Sequence, residues 1–169
     1  KVVVGNFFGN LWDVWTALNN LLQGKPGDAA SDVGRVLVNS TVGIGGAFDV
    51  AGEMGLTKHS EEFGQTLAVW GVGDGPYFYW PLIGPRTTRD TFGWLVDTYY
   101  DPVWRVDDMA LRNSLVATRY IDLRATLLPS DKVIEEAAFD KYNYIRDAYL
   151  QHRRNEVFDG DPPRVPLDY

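Results

Sequence analysis

The stretch "GQTLAVWGVGDGPYFYWPLIGP", residues 64–85, limits the folds that this chain can adopt. Apart from Asp74, its residues are apolar, aromatic, glycine, proline or uncharged polar. A membrane-spanning helix needs about 20 continuous apolar residues, and glycines and prolines interrupt this stretch repeatedly. Irregular backbone is tolerated in hydrocarbon only where protein or a water-lined cavity covers it. The stretch therefore forms a buried core loop, an exposed binding loop, or a bent hairpin between a bilayer and a cavity.

Aromatic residues are concentrated in this stretch, at 77–80, with Trp70 before them and Trp94 after them. Trp and Tyr are typical of the membrane interface, because each ring presents one polar and one apolar edge. A Trp-rich core accounts for the same composition at least as well. Composition alone therefore leaves a membrane site and a buried core both open.

Most of the remaining sequence predicts helices, because apolar residues recur at the three-and-four spacing of an α-helix. In the second of these helices, Val33, Val36, Leu37 and Val38 are expected to face inward. Pro129 is expected to end the longest one, since proline lacks the N–H that the helical ladder needs. The predicted helices cover residues 6–23, 28–42, 48–54, 60–70, 88–99, 107–128 and 130–154.

Strand patterns are nearly absent, and residues 71–86 are predicted to lack regular structure because glycine and proline recur in them. The predicted fold class is therefore all-α. Residues 1–158 are expected to form a single helical domain. The Pro-rich, polar segment 159–169 is expected to be an extended or disordered tail.

The formal net charge of −7 argues against nucleic acid as a partner, because such binding depends on Lys and Arg neutralising phosphates. The same charge argues against attachment to anionic lipid through a polybasic patch. Any contact with a membrane must therefore use apolar surface. The chain has no cysteine, so neither a disulfide nor thiolate chemistry is available.

No motif points to catalysis, a metal or a cofactor. The two histidines, His59 and His152, do not lie in a nucleophile motif such as GxSxG. The segment "GIGGAF", residues 43–48, lacks the spacing of a dinucleotide fingerprint and the Gly-Lys-Ser/Thr of a Walker loop. The carboxylates follow neither an EF-hand nor an HExxH pattern. We therefore predict a protein without catalytic residues, without a metal site and without a cofactor.

Four segments together resemble the MlaA family, also called VacJ lipoproteins, and the resemblance covers about residues 6–160. The Gly-Pro-Tyr, Gly-Pro and Arg-Asp elements of the third segment are more specific than any single glycine-rich run. The family's lipidated cysteine and first helices are expected to precede Lys1. The segments are "LLQG" (21–24), "NSTVGIGGAFDVA" (39–51), "EEFGQTLAVWGVGDGPYFYWPLIGPRTTRD" (61–90) and "YNYIRDAYLQHRR" (142–154).

The resemblance implies an outer-membrane lipoprotein of a Gram-negative bacterium that removes mislocalised phospholipid from the outer leaflet. It implies a ring of amphipathic helices, embedded in the inner leaflet and facing the periplasm beside a trimeric porin. Phospholipid leaves through a channel in the ring to the soluble periplasmic carrier MlaC. A lipid-hydrolysing enzyme, with His59 or His152 as its base, and a scaffold that only anchors partners to the porin are the alternatives.

The resemblance also suggests roles for individual residues. The predicted channel mouth or gate has glycine hinges followed by an aromatic run. Arg86 and Arg89 are expected to contact a headgroup phosphate, or Arg89 pairs with Asp90 or Asp97 to hold the fold. The gate residues are Gly71, Gly73, Gly75, Pro76, Tyr77, Phe78, Tyr79, Trp80 and Leu82, and the predicted membrane-facing residues of the first helix are Phe7, Leu11, Trp15, Leu18 and Leu22.

Overall fold

The computed structural model describes residues 2–81, 83–137 and 140–163. Helices account for most of these residues, as the all-α prediction requires, and one short hairpin of two strands interrupts them. None of the described helices combines the length and the hydropathy needed to cross a bilayer. The elements are α1 (Val2–Leu22), α2 (Pro26–Thr41), α3 (Val50–Glu53), α4 (Phe63–Val69), β1 (Tyr77–Trp80), β2 (Gly84–Thr87), α5 (Thr88–Tyr100), a 3-10 helix (Pro102–Arg105), α6 (Met109–Ala137) and α7 (Lys141–Val157).

Helices α1 and α2 form an antiparallel pair that is joined by a three-residue turn and packed through polar side chains. Asn20 Nδ2 donates to Asp32 Oδ2 at 2.8 Å, and Arg35 Nε lies 3.5 Å from Asp13 Oδ2. These four side chains are almost fully buried. A buried polar group is costly unless it is paired, so these contacts fix the register of the two helices.

The inward direction predicted for α2 is wrong for two of its apolar residues. Val33 and Leu37 are exposed, whereas the polar Asp32, Arg35 and Asn39 of the same helix are buried. The three-and-four spacing correctly identified a helix, but periodicity does not say which face meets the protein. The polar face of α2 meets protein because α1 presents a polar face to it.

The same reversal of polarity extends over the described part of the chain. Among the residues whose burial is described, the polar and charged ones that are buried outnumber the apolar ones, which are Trp15, Ala17, Ala29, Ala51 and Val103. Large apolar side chains are exposed on α1, α2, α5, α6 and the hairpin. A water-soluble domain usually buries such side chains, and a large apolar surface marks an interaction site. The exterior of this fold therefore suits contact with an apolar phase.

Helices α4 and α5 approach each other at two glycines. A Cβ atom added at Gly93 would lie 2.4 Å from the backbone nitrogen of Gly64. Because no side chain fits in this gap, Gly93 determines how closely α5 packs against α4.

The segment predicted to lack regular structure contains a hairpin instead. Strands β1 and β2 pair antiparallel, with Tyr77 opposite Thr87 and Trp80 opposite Gly84. The aromatic residues of β1 have high strand propensity. Gly75 and Gly84, which precede β1 and begin β2, have φ values of 68° and 96° that other residues rarely adopt.

The predicted end of the long helix at Pro129 is also wrong, since α6 continues through this position to Ala137. Proline removes one ladder hydrogen bond, which weakens or bends a helix without always ending it. The predicted tail at 159–169 is described only as far as residue 163. Within that part, the Asp159 carboxylate lies 2.7 Å from Lys25 Nζ.

Candidate functional site

A cavity of about 360 Å³ lies where the hairpin, α1, α5, the 3-10 helix and α6 meet. Its wall combines aromatic and aliphatic side chains with three carboxylates and two guanidinium groups. A cavity of this size is at the small end of ligand-binding pockets. The lining residues are Trp12, Glu62, Ile83, Arg86, Trp94, Asp97, Thr98, Asp101, Val103, Trp104, Val116, Arg119, Tyr120 and Leu123.

Three of the charged residues in the wall are already paired. The Arg119 guanidinium bonds to the Asp101 carboxylate and lies over the ring of Trp12 at 5.5 Å. Glu62 Oε1 forms an ion pair with Arg153 of α7, whose Nη2 lies 2.7 Å away. These pairs neutralise most of the charge that faces the cavity and connect its wall to α7.

Asp97 is the most deeply buried acid of the cavity. Its Oδ1 accepts hydrogen bonds from Trp15 Nε1 at 2.7 Å and from the Phe63 backbone N–H at 3.0 Å. Burial raises the pKa of Asp97 to about 6, and the negative charge of Glu62 adds to this effect, although both hydrogen bonds oppose it. Asp97 thus holds α1, α4 and α5 together at one point of the cavity wall.

Arg86 enters the cavity from β2. Its guanidinium carbon lies 5.3 Å from the centre of the Trp94 ring, which is a cation–π distance. Within the described residues no carboxylate lies within ion-pair distance of Arg86, and its enclosed Nε has no hydrogen-bond partner. The cavity wall therefore contains a cation whose hydrogen-bonding capacity is unused.

The predicted gate residues lie on the hairpin and its approach, and none of the described ones lines the cavity. Phe78, Tyr79 and Trp80 are exposed, while Leu82 is outside the described residues. The Tyr77 ring contacts the rings of Tyr142 and Tyr149, with centroids 5.8 and 6.0 Å away. Of the described hairpin residues, Ile83 and Arg86 are the two that line the cavity.

The predicted hinge positions differ in their backbone. Gly71 and Gly75 have φ values of 89° and 68°, whereas Gly73 is not in the left-handed region. A Cβ atom at Gly75 would lie 3.0 Å from Thr88 Cβ, but one at Gly73 would meet nothing within 4 Å. The Pro76 carbonyl accepts hydrogen bonds from the backbone N–H and the hydroxyl of Thr88. The base of the hairpin is thus attached to the start of α5.

Arg89 is not a free phosphate contact, because it is buried and paired. Its guanidinium bonds to Asp74 at 2.6 Å and to Asp90 at 3.0 Å, in agreement with the structural alternative. Asp90 also accepts hydrogen bonds from Arg153 and Tyr149 of α7. Burial alone would raise the pKa of the Asp90 carboxyl, but Arg153, Tyr149 and Arg89 hold it well below its usual value.

The predicted membrane-facing residues of α1 divide into three groups. Leu18 and Leu22 are exposed, and Phe7 and Leu11 are half-buried. Trp15 does not face a membrane, because it is buried against Asp97 and stacks on Tyr100 at 4.8 Å. A helical wheel places Trp15 beside Leu11. The indole N–H of Trp15, however, needs a polar partner, which the Asp97 carboxylate supplies in the interior.

Neither histidine has the surroundings of a catalytic base. The two ring nitrogens of His59 lie 3.2 Å from Asp32 and 3.5 Å from Asp28, and the exposed ring of His152 lies 3.1 Å from Glu156. In the part of the chain that is described, no serine or threonine hydroxyl bonds to either ring, and no group of three His, Asp or Glu residues is arranged to hold a metal ion.

Sequence reasoning missed most of the cavity wall. Trp12, Asp97, Trp104 and Arg119 come from four separate elements, and their spacing along the chain carries no common signal. One available signal was the spacing of Asp90, Gly93 and Asp97, which places the two acids and the glycine on one face of α5, and this is the face that the protein buries.

A sequence model of the MlaA lipoprotein family matches residues 1–156. The chain belongs to this family. An uncharacterized protein of Rickettsia bellii is 35% identical over 158 residues, which cover 93% of this chain and 62% of that protein. The intermembrane phospholipid transport system lipoprotein MlaA of Escherichia coli K12 is 35% identical over 152 residues, covering 88% and 59% of the two chains.

A solved structure also resembles this MlaA-family chain, with a TM-score of 0.77 and 31% sequence identity. The match covers 95% of this chain and 79% of that one, which is described as "Structural basis for maintenance of bacterial outer membrane lipid asymmetry". The chain spans about three fifths of the length of the curated relatives that it matches.

Proposed function

We propose that this protein is the outer-membrane component of a phospholipid transport system that maintains lipid asymmetry. It passes phospholipid from the outer leaflet through a channel to the periplasmic carrier MlaC. The reversed polarity of the fold is the observation that carries the proposal: many of its large apolar side chains are exposed, while its interior and cavity contain charged groups. Such a protein meets hydrocarbon on the outside and offers a polar path on the inside.

The cavity has the mixed chemistry that passage requires. Burial of lipid chains is worth about 0.8 kcal/mol per CH₂, so a fully apolar pocket would retain a phospholipid instead of releasing it. A cavity of about 360 Å³ with Trp12, Trp104 and Leu123 beside charged groups accommodates a headgroup and the first part of its chains. We assign the path to this cavity and place it at the centre of a ring-like arrangement, since elements from both halves of the chain bound it.

The hairpin is assigned the role of a gate in the same proposal. Gly71 and Gly75 have backbone angles favourable only to glycine and stand where the hairpin leaves α4 and approaches α5. The exposed rings of Phe78, Tyr79 and Trp80 suit a membrane interface. Rotation about these glycines moves the hairpin, and with it Ile83 and Arg86, relative to the rest of the cavity wall.

The exposed apolar side chains of α1, α2 and α5 support a position in the inner leaflet of the outer membrane beside a trimeric porin. The names of the E. coli and Haemophilus influenzae relatives, both intermembrane phospholipid transport system lipoprotein MlaA, support the transport role. The proposal assigns no catalysis to the chain. Purified protein incubated with phospholipid is therefore expected to release no fatty acid, and release that depends on His59 would favour a hydrolase.

A plug in the cavity tests the transport function. Val116 lines the cavity from α6, and the next residue, Ala117, is exposed on the same helix outside the lining. In cells whose own copy is deleted, Val116→Trp is expected to leave phospholipid in the outer leaflet, whereas Ala117→Trp restores asymmetry. Surface labelling of outer-leaflet phospholipid, with porin and carrier present, gives the measurement. Full restoration by Val116→Trp would support a scaffold that does not conduct lipid.

A further inference from the structure

Among the described charged residues of the cavity, Arg86 is the cation without a carboxylate at ion-pair distance, although its charge acts on Asp97 from farther away and lowers the pKa of that carboxyl. Asp101 is paired with Arg119, and Glu62 is paired with Arg153, which reaches the wall from outside the cavity. Asp97 is occupied by hydrogen bonds from Trp15 and Phe63. Of the two lining guanidinium groups, only that of Arg86 lacks a carboxylate partner among the described residues.

Arg86 is held in place despite the missing ion pair. Its backbone lies in β2 opposite Phe78, so the hairpin ladder fixes the Cα position. The Trp94 ring supports the guanidinium from α5. Arg86 is half-buried, and its enclosed Nε has no hydrogen-bond partner. An enclosed donor without a partner is costly, and an anion bound in the cavity can supply one.

We propose that Arg86 binds the phosphodiester anion of a glycerophospholipid headgroup in this cavity; the inference rests on the transport function proposed above. A guanidinium group offers parallel N–H donors that match two oxygens of a phosphate. The lipid's glycerol and first methylene groups contact the apolar part of the wall, at Trp104, Val116 and Leu123. Arg86 is thus the polar anchor of the path, and Arg89 serves only the fold.

The position of Arg86 on the hairpin links this contact to gating. The side chain is carried by β2, and the glycine at 75 precedes β1 of the same hairpin. A phosphate bound to Arg86 therefore adds an attachment between the hairpin and the cavity wall. Release of the anion removes that attachment.

Binding measurements with a water-soluble phospholipid test the assignment. The detergent-solubilised protein is titrated calorimetrically with a short-chain phosphatidylethanolamine below its critical micelle concentration. Arg86→Met keeps an apolar stem on Trp94, and Arg86→Gln serves as a second uncharged variant if the first unfolds. Loss of a charge-assisted contact is expected to weaken binding by about tenfold or more. Arg86→Lys retains the charge but lacks the parallel N–H donors of a guanidinium group. Its affinity for the phospholipid is therefore expected to lie between those of the wild type and Arg86→Met.

Arg105→Met is the matched control, because Arg105 also lies over aromatic rings, those of Tyr99 and Tyr100, but does not line the cavity. It is expected to bind like the wild type. The same-chain diacylglycerol, which has no phosphate, is expected to bind the wild type and Arg86→Met equally. Glycerophosphoethanolamine and inorganic phosphate separate a lipid site from a free-phosphate site. If either binds as tightly as the lipid, the lipid assignment fails.

Equal affinity of folded wild type, Arg86→Met and Arg86→Gln for the phospholipid would overturn the inference. That result leaves the transport function standing if Val116→Trp still blocks lipid removal. Conversely, phospholipid binding could be weakened in Arg86→Met while Val116→Trp leaves lipid asymmetry undisturbed. That pair of results would support the anion site and contradict the transport function.

Discussion

Arg153 of α7 and Asp90 of α5 form a buried ion pair across 63 residues of sequence, with Arg153 Nη2 2.9 Å from Asp90 Oδ1. Asp90 Oδ2 accepts further hydrogen bonds from Arg153 Nε and from the Tyr149 hydroxyl. The carboxylate lies in the first turn of α5, where the helix dipole also favours a negative charge. This junction joins the last helix to the base of the hairpin and to the cavity wall.

Arg153→Met is expected to lower the free energy of unfolding by about 3 kcal/mol, because the buried Asp90 keeps only Arg89 and the Tyr149 hydroxyl, and Glu62 also loses its ion-pair partner. Denaturant unfolding in detergent, followed by far-UV circular dichroism, measures the change. Arg146→Met is the control on the same helix, since the ion pair that the described residues give Arg146 is with the exposed Asp147. Its expected loss is below about 1 kcal/mol. Equal losses for the two variants would contradict a structural junction at Asp90.

Asp97→Asn is expected to change the pH dependence of stability. Because the pKa of Asp97 is raised from its usual 3.8 to about 6, the folded state keeps a proton that the unfolded chain has lost. The free energy of unfolding therefore falls by about 3 kcal/mol as the pH rises from below 3.8 to above about 6. The asparagine removes this contribution, and its Oδ1 still accepts the bonds from Trp15 and Phe63. Thermal unfolding of both proteins across this range makes the comparison, and a stability difference independent of pH would contradict it.

Gly93→Ala is expected to destabilise the fold by about 1–3 kcal/mol or more, because the added methyl overlaps the backbone of Gly64 and forces α4 and α5 apart. Gly27→Ala in the first turn of α2 is the control, since its Cβ would meet nothing within 4 Å. That change is expected to be neutral or slightly stabilising. Unfolding midpoints of the two variants provide the measurement. An unchanged midpoint for Gly93→Ala would contradict the close contact between α4 and α5.

Gly75→Ala is expected to impair lipid removal, whereas Gly73→Ala is not. At position 75 alanine must adopt a left-handed backbone, which costs about 1–2 kcal/mol, and must also displace Thr88 at the start of α5. Position 73 has neither restriction. Outer-leaflet phospholipid in complemented cells is measured for both variants, with far-UV circular dichroism to show intact helices. Equal phenotypes would remove the special role of Gly75 at the hairpin base.

The sequence was informative about where helices form and less so about which face they bury. The spacing of apolar residues located α1, α2 and α5, since periodicity follows directly from helical geometry. Val33, Leu37 and Trp15 were oriented wrongly, because their environment depends on whether water, protein or lipid surrounds the fold. The polar stripe formed by Asn10, Asp13, Thr16 and Asn20 on α1 carries the missing information, as it recurs at the same helical spacing and forms the buried face.

The candidate site was predictable only in part. Arg86 was identified beside the aromatic run, and the pairing of Arg89 with Asp90 was one of two stated alternatives. The rest of the wall is assembled from α1, α5 and α6, and contacts such as that of Trp15 with Asp97 join residues more than eighty positions apart. No local pattern encodes such a pairing, since it arises from the packing of whole helices.

The reversed polarity of this fold bears on its response to temperature. In ordinary globular proteins, unfolding exposes apolar groups to water, raises the heat capacity by about 12–15 cal/mol/K per residue and curves the stability profile. Here many of the large apolar groups are already on the outside, so melting uncovers mainly amides, carboxylates and guanidinium groups, whose hydration contributes with the opposite sign. The calorimetric step should accordingly be small, and the free energy of unfolding should fall almost linearly with temperature up to the melting transition, without the low-temperature maximum of an ordinary domain.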